Sequence, residues 1–163
     1  MLLSFIGNAQ EKNVFDIARK GTLQEMLDCY KKNPELINTV DDRKSSPLIL
    51  ASYRGNEAVA LFLADKVKDL NYNSGMGTAL MAAVMSGNIA VIQKLISAKV
   101  DLNQADNSGK TALIYATFFN KNDIVKMLVQ AGANKALKDS DGRNALDYAN
   151  FNKNTELIIL LDQ

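Results

Sequence analysis

The 163-residue sequence contains no histidine, one cysteine and two prolines, and its 19 basic and 18 acidic side chains leave a net charge of +1. Each scarcity removes a class of function. Without histidine there is no Ser-His or Cys-His nucleophile pair, no HExxH zinc helix and no imidazole base, so carboxylates, lysine and tyrosine remain for proton transfer. Cys29 alone can neither close an intramolecular disulfide nor assemble a cysteine zinc cluster. It is expected at an apolar helix position, where free cysteine is commonly buried. No GxxxxGK or GxGxxG segment is present to hold phosphates. Balanced charge gives no basic footprint for nucleic acid or an anionic membrane, and no run approaches the ~18 apolar residues that a membrane helix needs. The expectation is a protein that is not an enzyme, with no cofactor, metal, nucleic acid or membrane to bind.

What the chain has in abundance is repetition. Ser46-Pro47-Leu48-Ile49-Leu50-Ala51, Thr78-Ala79-Leu80-Met81-Ala82-Ala83, Thr111-Ala112-Leu113-Ile114-Tyr115-Ala116 and Asn144-Ala145-Leu146-Asp147-Tyr148-Ala149 begin 32 or 33 residues apart. A period of this length marks a stacked array, each unit burying its apolar face against its neighbours. Within a unit, Ser46, Thr78 and Thr111 supply hydroxyls that cap a first helix, and Pro47 fits the first helical position, where its missing N–H costs nothing. Gly21, Gly55, Gly87 and Asn120 are expected to end these helices in a left-handed conformation. A second helix follows, with apolar groups Val59/Phe62/Leu63, Val91/Ile92/Leu95, Ile124/Val125/Leu128 and Leu157/Ile158/Leu161 facing the core. Loops such as Asp69-Leu70-Asn71 lead to turn-rich hairpins such as Asp106-Asn107-Ser108-Gly109-Lys110.

This pattern resembles the ankyrin repeat over residues 12–163. The resemblance implies an all-α solenoid of about five helix-turn-helix units joined by hairpin loops, at about 12–40, 41–72, 73–105, 106–138 and 139–163. There are departures. The family's fourth motif position is often a histidine that cross-links loop and cap, whereas here it is read as Phe15, Ile49, Met81, Ile114 and Asp147. Its loss removes the usual polar cross-link and shifts inter-repeat packing onto apolar contact. The third hairpin carries Gly75-Met76-Gly77 in its tip, Lys153 replaces the turn glycine of the fifth unit, and Pro34 is expected to stop the second helix of the first. The Asp- and Asn-rich loops 101–109 and 139–142 lack the closing glutamate of a twelve-residue calcium loop and read as solvated hairpin tips.

Residues 1–11 form a separate segment. Met1-Leu2-Leu3-Ser4-Phe5-Ile6 is apolar, and Gly7 and Ala9 are small residues suited to a signal-peptidase cut after Ala9. The segment reads either as a signal-peptide remnant, placing the protein in the periplasm or otherwise outside the cytoplasm, or as an N-terminal cap on a cytoplasmic protein. Small exported bacterial ankyrin proteins look like the nearest kin. That likeness suggests a catalase-type or cell-envelope enzyme as partner, in oxidative defence or self-protection.

The resemblance also implies where a partner binds: the two positions before the turn residue, with the hairpin tips, line a concave face. Tyr53, Met85, Phe118 and Phe151 are the candidate anchors, Phe119 adjoins them, and Arg19, Arg54, Lys110 and Arg143 are the candidate orienting charges. Tyr115, Tyr148 and Phe119 are open to either reading, core or surface. A monomer binding another protein on this face is the expected function. The competing reading is an assembly module that self-associates through its ends, because Leu157-Ile158-Ile159-Leu160-Leu161 closes the array without a polar capping helix.

Overall fold

A computed structural model describes residues 12–163; the segment read as a signal remnant or cap lies outside the described residues. Among the described residues there are ten α-helices, one 3-10 helix and no strand. The helices come in pairs: α1 (Val14–Lys20) with α2 (Leu23–Lys32), α3 (Pro47–Arg54) with α4 (Glu57–Lys66), α5 (Ala79–Ser86) with α6 (Ile89–Ser97), α7 (Ala112–Phe118) with α8 (Asn122–Gln130), and α9 (Ala145–Phe151) with α10 (Thr155–Asp162). First helices pack on one another in chain order, and α2 on α4, α4 on α6 and α8 on α10 make a second layer.

Capping sets where the first helices begin. The hydroxyls of Ser46, Thr78 and Thr111 accept the amide N–H of Ile49, Met81 and Ile114, each at 3.3 Å. Asn144 accepts from the amide of Asp147, whose carboxylate accepts in return from the Asn144 N–H, a reciprocal capping box. Gly55 and Gly87 end their helices at φ 69° and 77°, while Asn120 and Lys153 each take φ 53°. A lysine in that left-handed region carries strain that a glycine avoids.

The first unit corrects the sequence register by one residue. Asn13 caps α1 by accepting the Asp16 N–H at 2.9 Å, so Asp16, not Phe15, stands where Ile49, Met81, Ile114 and Asp147 stand. Gly21 is extended (φ −82°) rather than left-handed. It is needed for another reason: a Cβ there would sit 2.7 Å from the Ile17 Cα. From the cap of α1 to the cap of α2, Asn13 to Thr22, the chain is one residue shorter than from Ser46 to Asn56, and Thr22 caps α2 in a capping box with Glu25. Pro34 does end α2, at Lys32, and opens the 3-10 helix Pro34–Asn38.

The core runs the length of the stack. Ala51, Ala83, Ala116 and Ala149 are fully buried, small enough to let neighbouring first helices approach closely, and Leu63, Leu95, Leu128 and Leu157 are fully buried from the second layer. Truncating one of these leucines would cost about 2–5 kcal/mol. Phe62 and Ile158 are only partly buried, Phe62 with its ring edge-to-face on Tyr30 at 5.5 Å, and Cys29 is also half-buried. Asparagines stitch successive loops: Asn38, Asn71 and Asn103 accept the amides of Lys68 (2.9 Å), Asp101 (2.7 Å) and Asn134 (2.8 Å) across repeats.

Candidate partner-binding face

Counting from each N-cap, the residues at +2 and +5 point into the core. At about 3.6 residues per turn, +7 lies on the opposite side of the helix. That position holds Lys20, Tyr53, Met85, Phe118 and Phe151. Tyr53 is 50% exposed, Phe118 43% and Phe151 77%, while Met85 is half-buried. The four candidate anchors therefore share one register. In the first unit that register position is Lys20, while the neighbouring Arg19 lines a groove with Tyr53 and Met85.

The anchors fall into two groups. Tyr53, Met85 and the exposed Phe119 surround a hollow of about 420 Å³ together with Arg54 and Ser86. Phe118 instead packs edge-to-face on Phe119 (5.0 Å) and on Tyr148 of the next repeat (5.5 Å), and Phe119 stacks on Tyr115 at 6.3 Å. Of the candidate charges, Arg54 and Arg143 lie over the rings of Tyr53 and Tyr148, each at 6.0 Å, and make no ion pair among the described residues. Arg19 is held by Asp41 (2.7 Å) and Asp16 (3.5 Å), and Lys110 by the enclosed carboxylate of Asp139 (3.1 Å).

The hairpin aspartates show what replaces the missing histidine. One oxygen of each carboxylate accepts two backbone amides: Arg43 and Ser45 on Asp41, Ser108 and Lys110 on Asp106, Asp141 and Arg143 on Asp139. The other oxygen accepts from a first helix: the Arg19 guanidinium on Asp41, the Tyr115 hydroxyl on Asp106 and the Tyr148 hydroxyl on Asp139, both hydroxyls at 2.5 Å. The polar cross-link expected to be lost is thus present in another form. Asp139 is also buried, not a solvated tip. Tyr148 belongs to the core, Tyr115 is half-buried and Phe119 lies on the surface. A regular spacing would have revealed the device, since each tyrosine follows its aspartate by nine residues.

Electrostatics follow from these bonds. Burial pushes the Asp139 carboxyl upward, but hydrogen bonds from Tyr148, the Arg143 amide, Lys110 and the Asp141 amide outweigh it and hold it at about 2. Asp106 is lowered in the same way, burial being overcome by Tyr115, Ser108 and Lys110. Burial, reinforced by the Asp106 carboxylate, pushes the Tyr115 phenol up to about 12.

The middle of the array lacks this clasp. Leu50 and Ala82 occupy the position of Tyr115 and Tyr148, and Asn73 stands nine residues before Ala82. Asn73 accepts the Gly75 amide at 2.9 Å but makes no hydrogen bond to α5. The tip turns on two left-handed glycines, Gly75 (φ 85°) and Gly77 (φ 128°), and leaves Met76 76% exposed. Between this hairpin, the preceding one and helices α3 and α5 runs a groove of about 660 Å³, lined by Phe15, Ile49, Leu50, Met76, Ala82 and Met85 among others. No local sequence pattern marks this groove, because its walls come from two hairpins and two helices of successive repeats. Among the described residues, no group of three or more Cys, Asp or Glu side chains is placed to hold a metal ion, and no helix is long and apolar enough to cross a membrane.

A family model for ankyrin repeats in three copies matches residues 14–106 and again 80–162. The chain belongs to the ankyrin-repeat family. Ankyrin repeats are in general protein-interaction modules and typically non-catalytic. The chain is also similar to the ankyrin repeat and SAM domain-containing protein 6 of Rattus norvegicus, with 30% identity over 102 residues, and to that of Mus musculus, with 29% over 102 residues. In each case the match covers 61% of this chain and 12% of the relative. Both are mammalian ankyrin proteins, and neither points to a bacterial or exported one.

Proposed function

We propose that this protein is a non-catalytic interaction module that, as a monomer, receives another protein on its concave face. Tyr53, Met85, Phe118, Phe119 and Phe151 act as the desolvated anchors, with Arg54 and Arg143 orienting the partner. One observation carries the reading: large apolar side chains recur at the one helix position that points away from a complete core, and three of them are at least 43% exposed. A photo-cross-linking residue at Tyr53, introduced in the native cell, tests it. One protein should be captured there and not from the exposed Asp123 of the second layer, and Phe118→Ala should reduce the yield. Equal capture from Asp123 would defeat the reading.

An enzyme of oxidative defence or of the cell envelope as partner, and export after cleavage at Ala9, extend this proposal. Mass spectrometry of the captured partner checks the first. Recovery of the natural protein outside the cytoplasm with Gln10 as its first residue checks the second. A second reading has an observation of its own, the 59% exposed Ile159 on the terminal helix α10. Concentration-dependent self-association abolished by Ile159→Lys would favour an assembly module.

A further inference from the structure

The groove in the middle of the array differs from the rest of the concave face in shape, lining and charge. Its size, about 660 Å³, is that of sites which enclose a few side chains. The space is there because Ala82 fills so little of the volume that a tyrosine fills in the last two repeats. Its apolar wall is rich in methionine: Met76, Met81 and Met85 all line it, and the thioether is the most adaptable of apolar side chains. Met76 stands largely in water at a glycine-set tip, so burial within the fold gives no reason for it.

The charges around the groove are unevenly satisfied. Asp41 is neutralised by Arg19 at 2.7 Å. Arg43 and Arg54 make no ion pair among the described residues, against the single exposed carboxylate of Asp42. No acidic residue occupies the +7 or +8 position of any first helix, whereas Lys20 and Arg54 are found there. A ligand entering the groove therefore meets an apolar floor with a cationic rim.

We propose that the groove binds an extended acidic segment of the partner protein, with an apolar side chain seated over Ala82 and a neighbouring carboxylate on Arg54. The proposal rests on the concave-face reading and specifies the chemistry recognised there. Arg54 suits the task because its planar guanidinium, which lies over the Tyr53 ring at 6.0 Å, can take a carboxylate in two parallel hydrogen bonds along its edge.

The test is selection of a randomised peptide library on the full chain. Enriched peptides should pair Leu, Met or Phe with adjacent Asp or Glu, and their binding should weaken as salt is raised. Arg54→Glu should weaken an enriched acidic peptide about tenfold or more. Closing the groove with Asn73→Asp/Ala82→Tyr, which recreates the nine-residue clasp, should abolish binding. Met76→Glu, at an exposed position that cannot upset the core, should weaken it as well. Enrichment of basic peptides, no enrichment at all, or binding indifferent to both Met76→Glu and Arg54→Glu would overturn the proposal. Peptide binding that appears only after deletion of residues 1–11 would make the chain's own leading segment the occupant. Self-association lost on closing the groove would make it a second copy, and either result also overturns the proposal. If cross-linking from Tyr53 still captures a partner while the groove variants change nothing, the concave-face reading stands and only the groove assignment falls.

Discussion

The last two repeats and the middle of the array are built on nearly the same backbone, yet they present different surfaces. In the repeats of α7 and α9, Tyr115 and Tyr148 fill the space between first helix and hairpin and tie the two together through Asp106 and Asp139. In α3 and α5 the equivalent residues are Leu50 and Ala82, no clasp forms on the third hairpin, and a groove opens. Closed and open stretches of the concave face are thus decided mainly at one side-chain position per repeat. The repeat backbone supplies the scaffold, and substitution at that position chooses between rigidity and a cavity.

The sharpest way to break the contrast is Asp139→Ala. It leaves the Lys110 ammonium, the Tyr148 hydroxyl and two backbone amides without their acceptor. We expect a loss of about 3 kcal/mol or more in urea unfolding, the scale for breaking a buried charged network. Acid exposes the same site. The folded carboxyl sits at about 2 against an ordinary 3.8, so the unfolded chain takes up the proton first and stability falls as pH drops through this window. Asp139→Asn should lose that component of the acid dependence. An unchanged profile would show that the clasp carries no net stabilisation.

Partner binding gives the next largest effect. Phe118→Ala should weaken partner capture by about thirtyfold, equivalent to ~2 kcal/mol. Because its ring packs on Tyr148 and Phe119, it should also lower stability by about 1 kcal/mol. Tyr53→Ala, with no aromatic partner, should leave stability nearer to wild type, and titration with the identified partner beside urea unfolding separates the two quantities. Installing the clasp in the open region with Asn73→Asp/Ala82→Tyr should raise stability by about 1 kcal/mol, the worth of one hydrogen bond to a charged group with some apolar burial. A destabilised variant would show that the groove is not simply an unfilled tyrosine site. The smallest effect is expected at Ser52, whose hydroxyl is fully buried without a partner. Ser52→Ala should be neutral or slightly stabilising, within about 0.5 kcal/mol, because alanine removes an unmet polar group.

Much of this architecture was legible before any coordinates. The period, the Ser/Thr caps, Gly55 and Gly87 at the turns and Pro34 as a helix stop are local signals, each acting within a few residues of itself, and their recurrence in phase specifies a helical stack. The register of the first unit was misread because Gly21 resembles the turn glycines of later units. Only the bond from Asn13 to Asp16 shows that the first helix starts one residue later than that glycine implies. The anchor row was visible as a row because it repeats at a fixed distance from each cap.

How those anchors divide was not visible. Whether Phe118 leans on Tyr148 or joins Tyr53 depends on side-chain packing between repeats, and periodicity carries no such information. The roles of Arg19 and Lys110 likewise turned on carboxylates 22 and 29 residues away in the chain. By itself the sequence determined the repeat, the helix limits of the later units and the side of each of their first helices that faces away from the core, because these follow from backbone geometry and nearest neighbours. The tertiary structure alone decided which charges are consumed inside the fold and where the concave face stays open. Both depend on volumes and hydrogen bonds that exist only once one repeat lies against the next.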